Sequence, residues 1–235
     1  PPPPPPPPPP PHCHQKTPYQ IHLTVSCARR CVSETGPTLC KQYYENEAFP
    51  FGPPEMTEEQ RLPNRLAQLG LKPQEVDLVF VGHLHFDHGG GLCDMAHAEI
   101  HVHEKEMAAA LEPADEAYFA NDFTGDYRWK MQASEYDLAG GVRAIESPGH
   151  TAGHMSMLIE LPKGPPILLA GDAADLEENL QDEVAPGLCW HDREDMAVAS
   201  IRKLKQLAAD TGAQLWPNHD MAFYRNCRPF PKFYE

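Results

Sequence analysis

The sequence predicts a mixed α/β fold in which strands and helices mingle through both halves of the chain. Three observations carry that prediction. Short apolar runs bounded by turn residues read as strands, and stretches of helical period lie between them. Turns bearing histidine or aspartate follow several of those strands directly, the place where a rigid scaffold commonly carries its site. The densest such turn is His83-Leu84-His85-Phe86-Asp87-His88, which packs four metal-binding side chains into six residues after the apolar stretch 76–81.

Residues 1–11 are all proline. Such a run forms a solvated polyproline II rod and cannot join a core, so residues 1–18 read as a disordered, low-complexity tail and 19–235 as one domain. Residues 21–26 alternate like a strand, and 38–44 offer a weaker second one. Thr57-Glu58-Glu59-Gln60 is a capping box opening a helix that ends near Gly70, with Pro63 starting its second segment. Residues 77–81 form a buried-type strand leading into the histidine turn. A strand at 99–103 and a helix at 105–111 follow. The second half reads as strands at 141–146, 155–161 and 167–170, a long amphipathic helix from about 193 to 209, and a last strand at 214–216.

Composition narrows the function. With 19 basic and 34 acidic residues the formal net charge is −15, which disfavours a nucleic-acid backbone as partner. No apolar run approaches the length of a membrane span, and no cationic leader with an apolar core is visible. The expectation is a soluble cytoplasmic protein. Seven cysteines, an odd and scattered set, read as reduced thiols. Cys27 and Cys31 with His12, Cys13 and His14 suggest a small zinc site, but no second spaced pair supports it.

The histidine turn has a geometric reading of its own. In an extended segment residues two apart point the same way, so His83 and His85 can grip one ion. Asp87 and His88 lie where the chain turns and can reach a second. Imidazole and carboxylate suit zinc and similar divalent ions. Three more turns share this character: Ser147-Pro148-Gly149-His150-Thr151, Ala170-Gly171-Asp172 and Pro217-Asn218-His219-Asp220. His154 reads as a neighbour of the site or a turn residue, and His101 with His103 as a packed or solvated strand face.

In content, order and spacing, H-L-H-F-D-H, S-P-G-H-T-A-G-H, A-G-D and P-N-H-D resemble the metallo-β-lactamase superfamily. Within it the chain is most similar to the N-acyl-homoserine lactonases, through Met56-Thr57-Glu58-Glu59-Gln60-Arg61, S-I-R-K-L-K at 200–205 and N-C-R-P-F-P-K-F-Y at 226–234. The resemblance runs from about residue 54 to the C-terminus. It implies an αββα sandwich, with an atypical or incomplete N-terminal part. It also implies two divalent metal ions, most simply Zn(2+), with His83, His85 and His150 on the first, Asp87, His88 and His219 on the second, and Asp172 bridging. A bridging hydroxide would open the lactone ring of an N-acyl-homoserine lactone, with Asp87 carrying the proton. Phe49, Phe51, Met56, Phe86 and Met155 are candidate walls for the acyl chain. The small-molecule lactone is the expected partner, and monomer and homodimer stay open.

Two departures from the family pattern bear on the chemistry. Where the lactonases carry a tyrosine that hydrogen-bonds the substrate carbonyl, this chain has Asp175, which cannot donate while ionised; Tyr224 and Tyr118 are the candidate replacements. The family's early Asp-Thr-Gly support for the metal loop has no aspartate at 38–43. Three readings follow: a lactone hydrolase, another dinuclear hydrolase such as a glyoxalase II-like thioesterase or broad esterase, and an inactive zinc-binding relative.

Overall fold

The structure, a computed structural model, describes residues 22–25, 30–33, 35–36, 57–230, 232 and 234. The expected strand at 21–26 is β1 (His22–Val25), antiparallel to β2 (Arg30–Ser33). β3 (Leu78–Phe80), β4 (Glu99–His103) and β5 (Arg128–Gln132) add in parallel, giving a five-stranded sheet in chain order. The second five-stranded sheet has the order β10 (Gln214–Trp216), β9 (Ile167–Leu169), β8 (Met155–Ile159), β7 (Val142–Glu146), β6 (Tyr136–Ala139). The proline run, His12, Cys13, His14, Cys27, the possible strand at 38–44, and Phe49, Phe51 and Met56 lie outside the described residues.

Seven α-helical segments accompany the sheets: α1 (Leu62–Gln68), α2 (Phe86–Gly89), α3 (Glu104–Leu111), α4 (Ala120–Phe123), α5 (Glu177–Asp182), α6 (Glu194–Thr211) and α7 (Met221–Asn226), counted among the described residues. The Thr57–Gln60 capping box is present, and Pro63 stands in the first turn of α1, where its missing N–H removes no helical bond. α6 begins with Glu194 and Asp195, which favour the positive end of the helix dipole. It stops at Gly212, whose φ of 69° is the left-handed conformation that a helix C-terminus readily takes with glycine. No helix among the described residues is long and apolar enough to cross a membrane.

Alternation along the strands produces the layers. From β3, Leu78 and Phe80 point between the sheets and meet Ala144, Met157, Leu169 and Trp216 of the second sheet. Val79, between them in sequence, faces outward with Ile100 and Val102 against Leu62 and Leu66 of α1. On the far side, Ile145 and Leu168 pack against Ile201 and Leu204 of α6. All three β3 residues are buried, the pattern of a parallel strand covered on both faces. Each of these large aliphatic side chains contributes roughly 1.5–3 kcal/mol by leaving water. The result is helix, sheet, sheet, helix, the αββα order.

His101 and His103 occupy the inner face of β4 and are buried. His101 contacts Glu99 at 2.8 Å and the Tyr136 hydroxyl at 3.1 Å, while His103 contacts Glu146 at 3.1 Å. They form a polar contact between the sheets, so the packed-face reading holds over the solvated one.

Candidate metal centre

The turns singled out in the sequence converge at one edge of the sandwich. His83 and His85 follow β3, Asp87 and His88 lie in α2, His150 sits between β7 and β8, Asp172 follows β9, and His219 follows β10. Met155 N–H donates to Gly82 C=O at 2.9 Å, tying the start of β8 to the loop after β3 and bringing the two sheets' edges together. Two donor groups result: His83, His85 and His150, and Asp87, His88, Asp172 and His219, with the donor atoms of each group within 4.8 Å of one another. Asp172 stands between the groups. Its Oδ2 lies 3.4 Å from His150 Nε2, 3.6 Å from His83 Nε2 and 3.1 Å from His219 Nε2, and its Oδ1 lies 3.3 Å from His88 Nε2.

The donors are oriented as a cation would require. His150 Nδ1 faces the Leu188 carbonyl at 3.0 Å, so that nitrogen carries the proton and Nε2 presents a lone pair. His85 Nε2 faces the Asp115 carboxylate at 3.5 Å, which leaves Nδ1 as the other lone pair. These two lone pairs meet at 3.0 Å, an arrangement that repels unless a positive centre lies beside both. Neither ring nitrogen of His83, which has no exposed surface, makes a hydrogen bond. A buried polar atom without a partner is costly, and a divalent ion removes that cost. The donor set therefore fits divalent metal ions.

Electrostatics separate the two groups. Burial, followed by the charge of His88, holds His83 well below the usual histidine range, and burial holds His150 down at about 4. Burial also opposes protonation of His219, yet Asp172 overrides it and raises His219 to about 9. Burial opposes ionisation of Asp172 in turn, but His219, His88 and His83 hold its carboxyl well below the ordinary range. Metal-free, His83 and His150 of the first group are neutral imidazoles, and the second group contains an imidazolium–carboxylate pair.

Residues 51–211 match the family model of the metallo-beta-lactamase superfamily. The chain belongs to that superfamily. Within the metallo-beta-lactamase superfamily it is 34% identical over 180 residues to an N-acyl homoserine lactonase of Bacillus sp, a match spanning 77% of this chain and 70% of that one. It is 32% identical over 192 residues to the N-acyl homoserine lactonase AttM of Azorhizobium caulinodans, covering 77% of this chain and 72% of the relative. The solved structure of an N-acyl homoserine lactone hydrolase, with N-hexanoyl-L-homoserine bound at its catalytic metal center, superposes with a TM-score of 0.80 at 29% identity, covering 90% of this chain and 85% of that one.

Support for this metallo-beta-lactamase centre comes partly from residues that sequence reasoning missed. The early brace, sought at 38–43, is supplied by Thr35 and Gly36 just after β2. Thr35 N–H and Oγ1 both donate to the His88 carbonyl, at 2.9 and 2.7 Å, and Gly91 N–H donates to the Gly36 carbonyl at 2.9 Å. The signal was present as Glu34-Thr35-Gly36, but the alternation of 30–33 was too short to mark a strand before it. His154, read from the sequence as a neighbour of the site or a turn residue, touches the site's backbone. Its Nε2 accepts from Asp172 N–H at 3.0 Å, and its Nδ1 then donates to the Ser147 carbonyl at 3.1 Å. Burial keeps it neutral, at about 3. Asp115, which sets the His85 tautomer, has no signal in sequence because it comes from a loop 30 positions on.

The candidate substrate contacts fare unevenly. The Tyr118 hydroxyl is committed to Glu106 at 2.9 Å, which removes it as a free donor to substrate. Met155 is 2% exposed and packs in the inter-sheet core. Phe86 is buried against Phe119, ring centroids 5.5 Å apart. Tyr224 lies in α7, whose N-terminus is capped by Asp220 next to His219. Asp175 sits beside the centre. His219 N–H donates to its backbone carbonyl at 2.8 Å, and burial, then the Asp172 charge, pushes its carboxyl up to about 7.

Proposed function

We propose that the protein is a dinuclear metal-dependent hydrolase that opens the ring of N-acyl-homoserine lactones, a quorum-quenching activity. The observation that carries this reading is the buried carboxylate of Asp172, whose oxygens lie within 3.6 Å of nitrogens from both donor groups, in a chain 34% identical to a lactonase. His83, His85 and His150 would hold one ion, Asp87, His88 and His219 the other, with Asp172 shared. Zn(2+) suits this all-nitrogen-and-oxygen set. At such a site bound ions would supply a water whose pKa falls from 15.7 to about 7, and would polarise a carbonyl oxygen.

The chain's own residues do the rest. Asp87, buried and within 3.7 Å of His88 and 3.9 Å of His219, accepts the proton of the attacking water at a carboxylate oxygen. It returns that proton to the ring oxygen as the acyl C–O bond breaks. The product is an N-acyl-homoserine with its amide intact. Tyr224 and Asp175 are the candidate contacts for the substrate carbonyl, and Phe86 is a candidate apolar contact.

The test is turnover by the zinc-loaded protein of N-hexanoyl-homoserine lactone, with S-lactoylglutathione and an aryl ester alongside. Lactone opening with two ions per chain is the expected result. Two ions with thioester turnover and no lactone opening would sink the substrate assignment and leave a thioesterase.

The charge states also set a pH dependence. A metal ligand must be deprotonated, and His219, raised to about 9 in the metal-free protein, is protonated at neutral pH. Binding the second ion therefore displaces a proton, and its affinity should weaken about tenfold for each unit of pH decrease below about 9. His83 and His150 are already neutral at about pH 6 and add no proton to displace, so affinity for the first ion should depend less steeply on pH than affinity for the second. Competition with a zinc chelator at several pH values reads both slopes; parallel slopes for the two ions would contradict the assignment.

A further inference from the structure

Glu106 lies in the first turn of α3 with no exposed surface, and belongs to neither donor group. Four donors converge on its carboxylate. Oε1 accepts from Leu84 N–H and from the Tyr118 hydroxyl, both at 2.9 Å. Oε2 accepts from Thr151 Oγ1 at 2.6 Å and Gly153 N–H at 3.1 Å. The placement of those donors is selective. Leu84 separates His83 from His85, Thr151 follows His150, and the Tyr118 ring stands edge-on to His85 at 4.5 Å between centroids. The turn carrying His150 is also pressed against the start of α3: a Cβ on Gly153 would lie 2.2 Å from Glu106 N.

We propose that Glu106 is a positioning residue which locks the His83–His85 loop against the His150 turn and so sets the geometry of the first metal site. This rests on the dinuclear metal assignment. The two loops come from different sheets and are 65 residues apart at His85 and His150, and one carboxylate bonds to the chain flanking both. Partners that orient metal ligands are commonly worth about 10–100-fold in affinity.

The experiment is zinc binding by chelator competition on the full chain, which needs no substrate, so a failure of lactone turnover does not affect its outcome. Glu106→Gln places an NH2 group toward Leu84 N–H or Gly153 N–H, neither of which can become an acceptor. One ion should bind about 10–100-fold more weakly while the other stays within about twofold. The isotherm should track that of His150→Ala and differ from that of His219→Ala. Wild-type affinity for both ions would overturn the proposal. Equal weakening of both ions, together with a lower melting temperature of the metal-free protein, would reduce Glu106 to a general fold support and overturn it as well. If Glu106→Gln does not fold, Thr151→Val decides, because it removes one bond and keeps the side chain's shape: selective loss at the first site supports the proposal, and unchanged binding of both ions overturns it.

Discussion

Asp172→Ala is expected to abolish binding of both metal ions at once, at zinc concentrations that saturate the unsubstituted protein. The carboxylate lies within 3.6 Å of donor nitrogens from His83, His88, His150 and His219, and so reaches both donor groups. A four-ligand zinc site is worth about 10–16 kcal/mol, so one ligand carries about 2.5–4 kcal/mol, or about 10²–10³ in affinity for each ion that shares it. Activity should fall about 10⁴-fold or more, the scale seen when a central catalytic group is removed. The fold should persist. His154 holds Asp172 through its backbone N–H at 3.0 Å, a bond that alanine retains. Elemental analysis with circular dichroism separates metal loss from unfolding. Retention of two ions by a folded Asp172→Ala protein would show that the carboxylate is not a shared ligand.

Asp175→Asn is expected to raise kcat for the lactone. The Asp175 carboxyl accepts from Gly187 N–H, has one buried oxygen without a hydrogen-bond partner, and sits among the charges of Asp172, Asp87 and His219. In the metal-free protein burial, then the Asp172 charge, raises its carboxyl to about 7. Dications bound beside it would favour the ionised form, which would repel a developing oxyanion. Asparagine keeps an acceptor for Gly187 and turns the second atom into a neutral donor of the same size. A single well-placed donor is worth about 10²–10³ in kcat, and a gain of about tenfold or more is expected between about pH 6 and pH 8. An unchanged rate across that range would mean that another group, with Tyr224 first in line, already serves the carbonyl.

The metal turns were legible in the sequence because their ligands are clustered and punctuated. His83, His85, Asp87 and His88 fall within six residues, and each later ligand follows a strand ended by small or turn-forming residues. The strands at 78–80, 99–103, 142–146, 155–159, 167–169 and 214–216 were readable for the same reason. β5 and β6 were not: Arg128–Gln132 and Tyr136–Ala139 are edge strands, largely exposed or half-buried, and lack the continuous apolar run that marks the buried strands. The short helix α2 was hidden by the ligands it carries.

What the sequence determined by itself was the mixed α/β class and the candidate ligands, both properties of local spacing and residue type, and, through the resemblance its motifs carry, the family and the αββα layers that the family implies. Tertiary structure alone decided how the ligands meet and what supports them. Thr35 reaches the His88 carbonyl from 53 residues away, Asp115 selects the His85 tautomer, and Glu106 joins loops belonging to different sheets. It also decided that Tyr118 is already occupied and that Met155 is core. Hydrogen bonds and burial of this kind depend on where the chain returns to, and one-dimensional spacing carries no record of that.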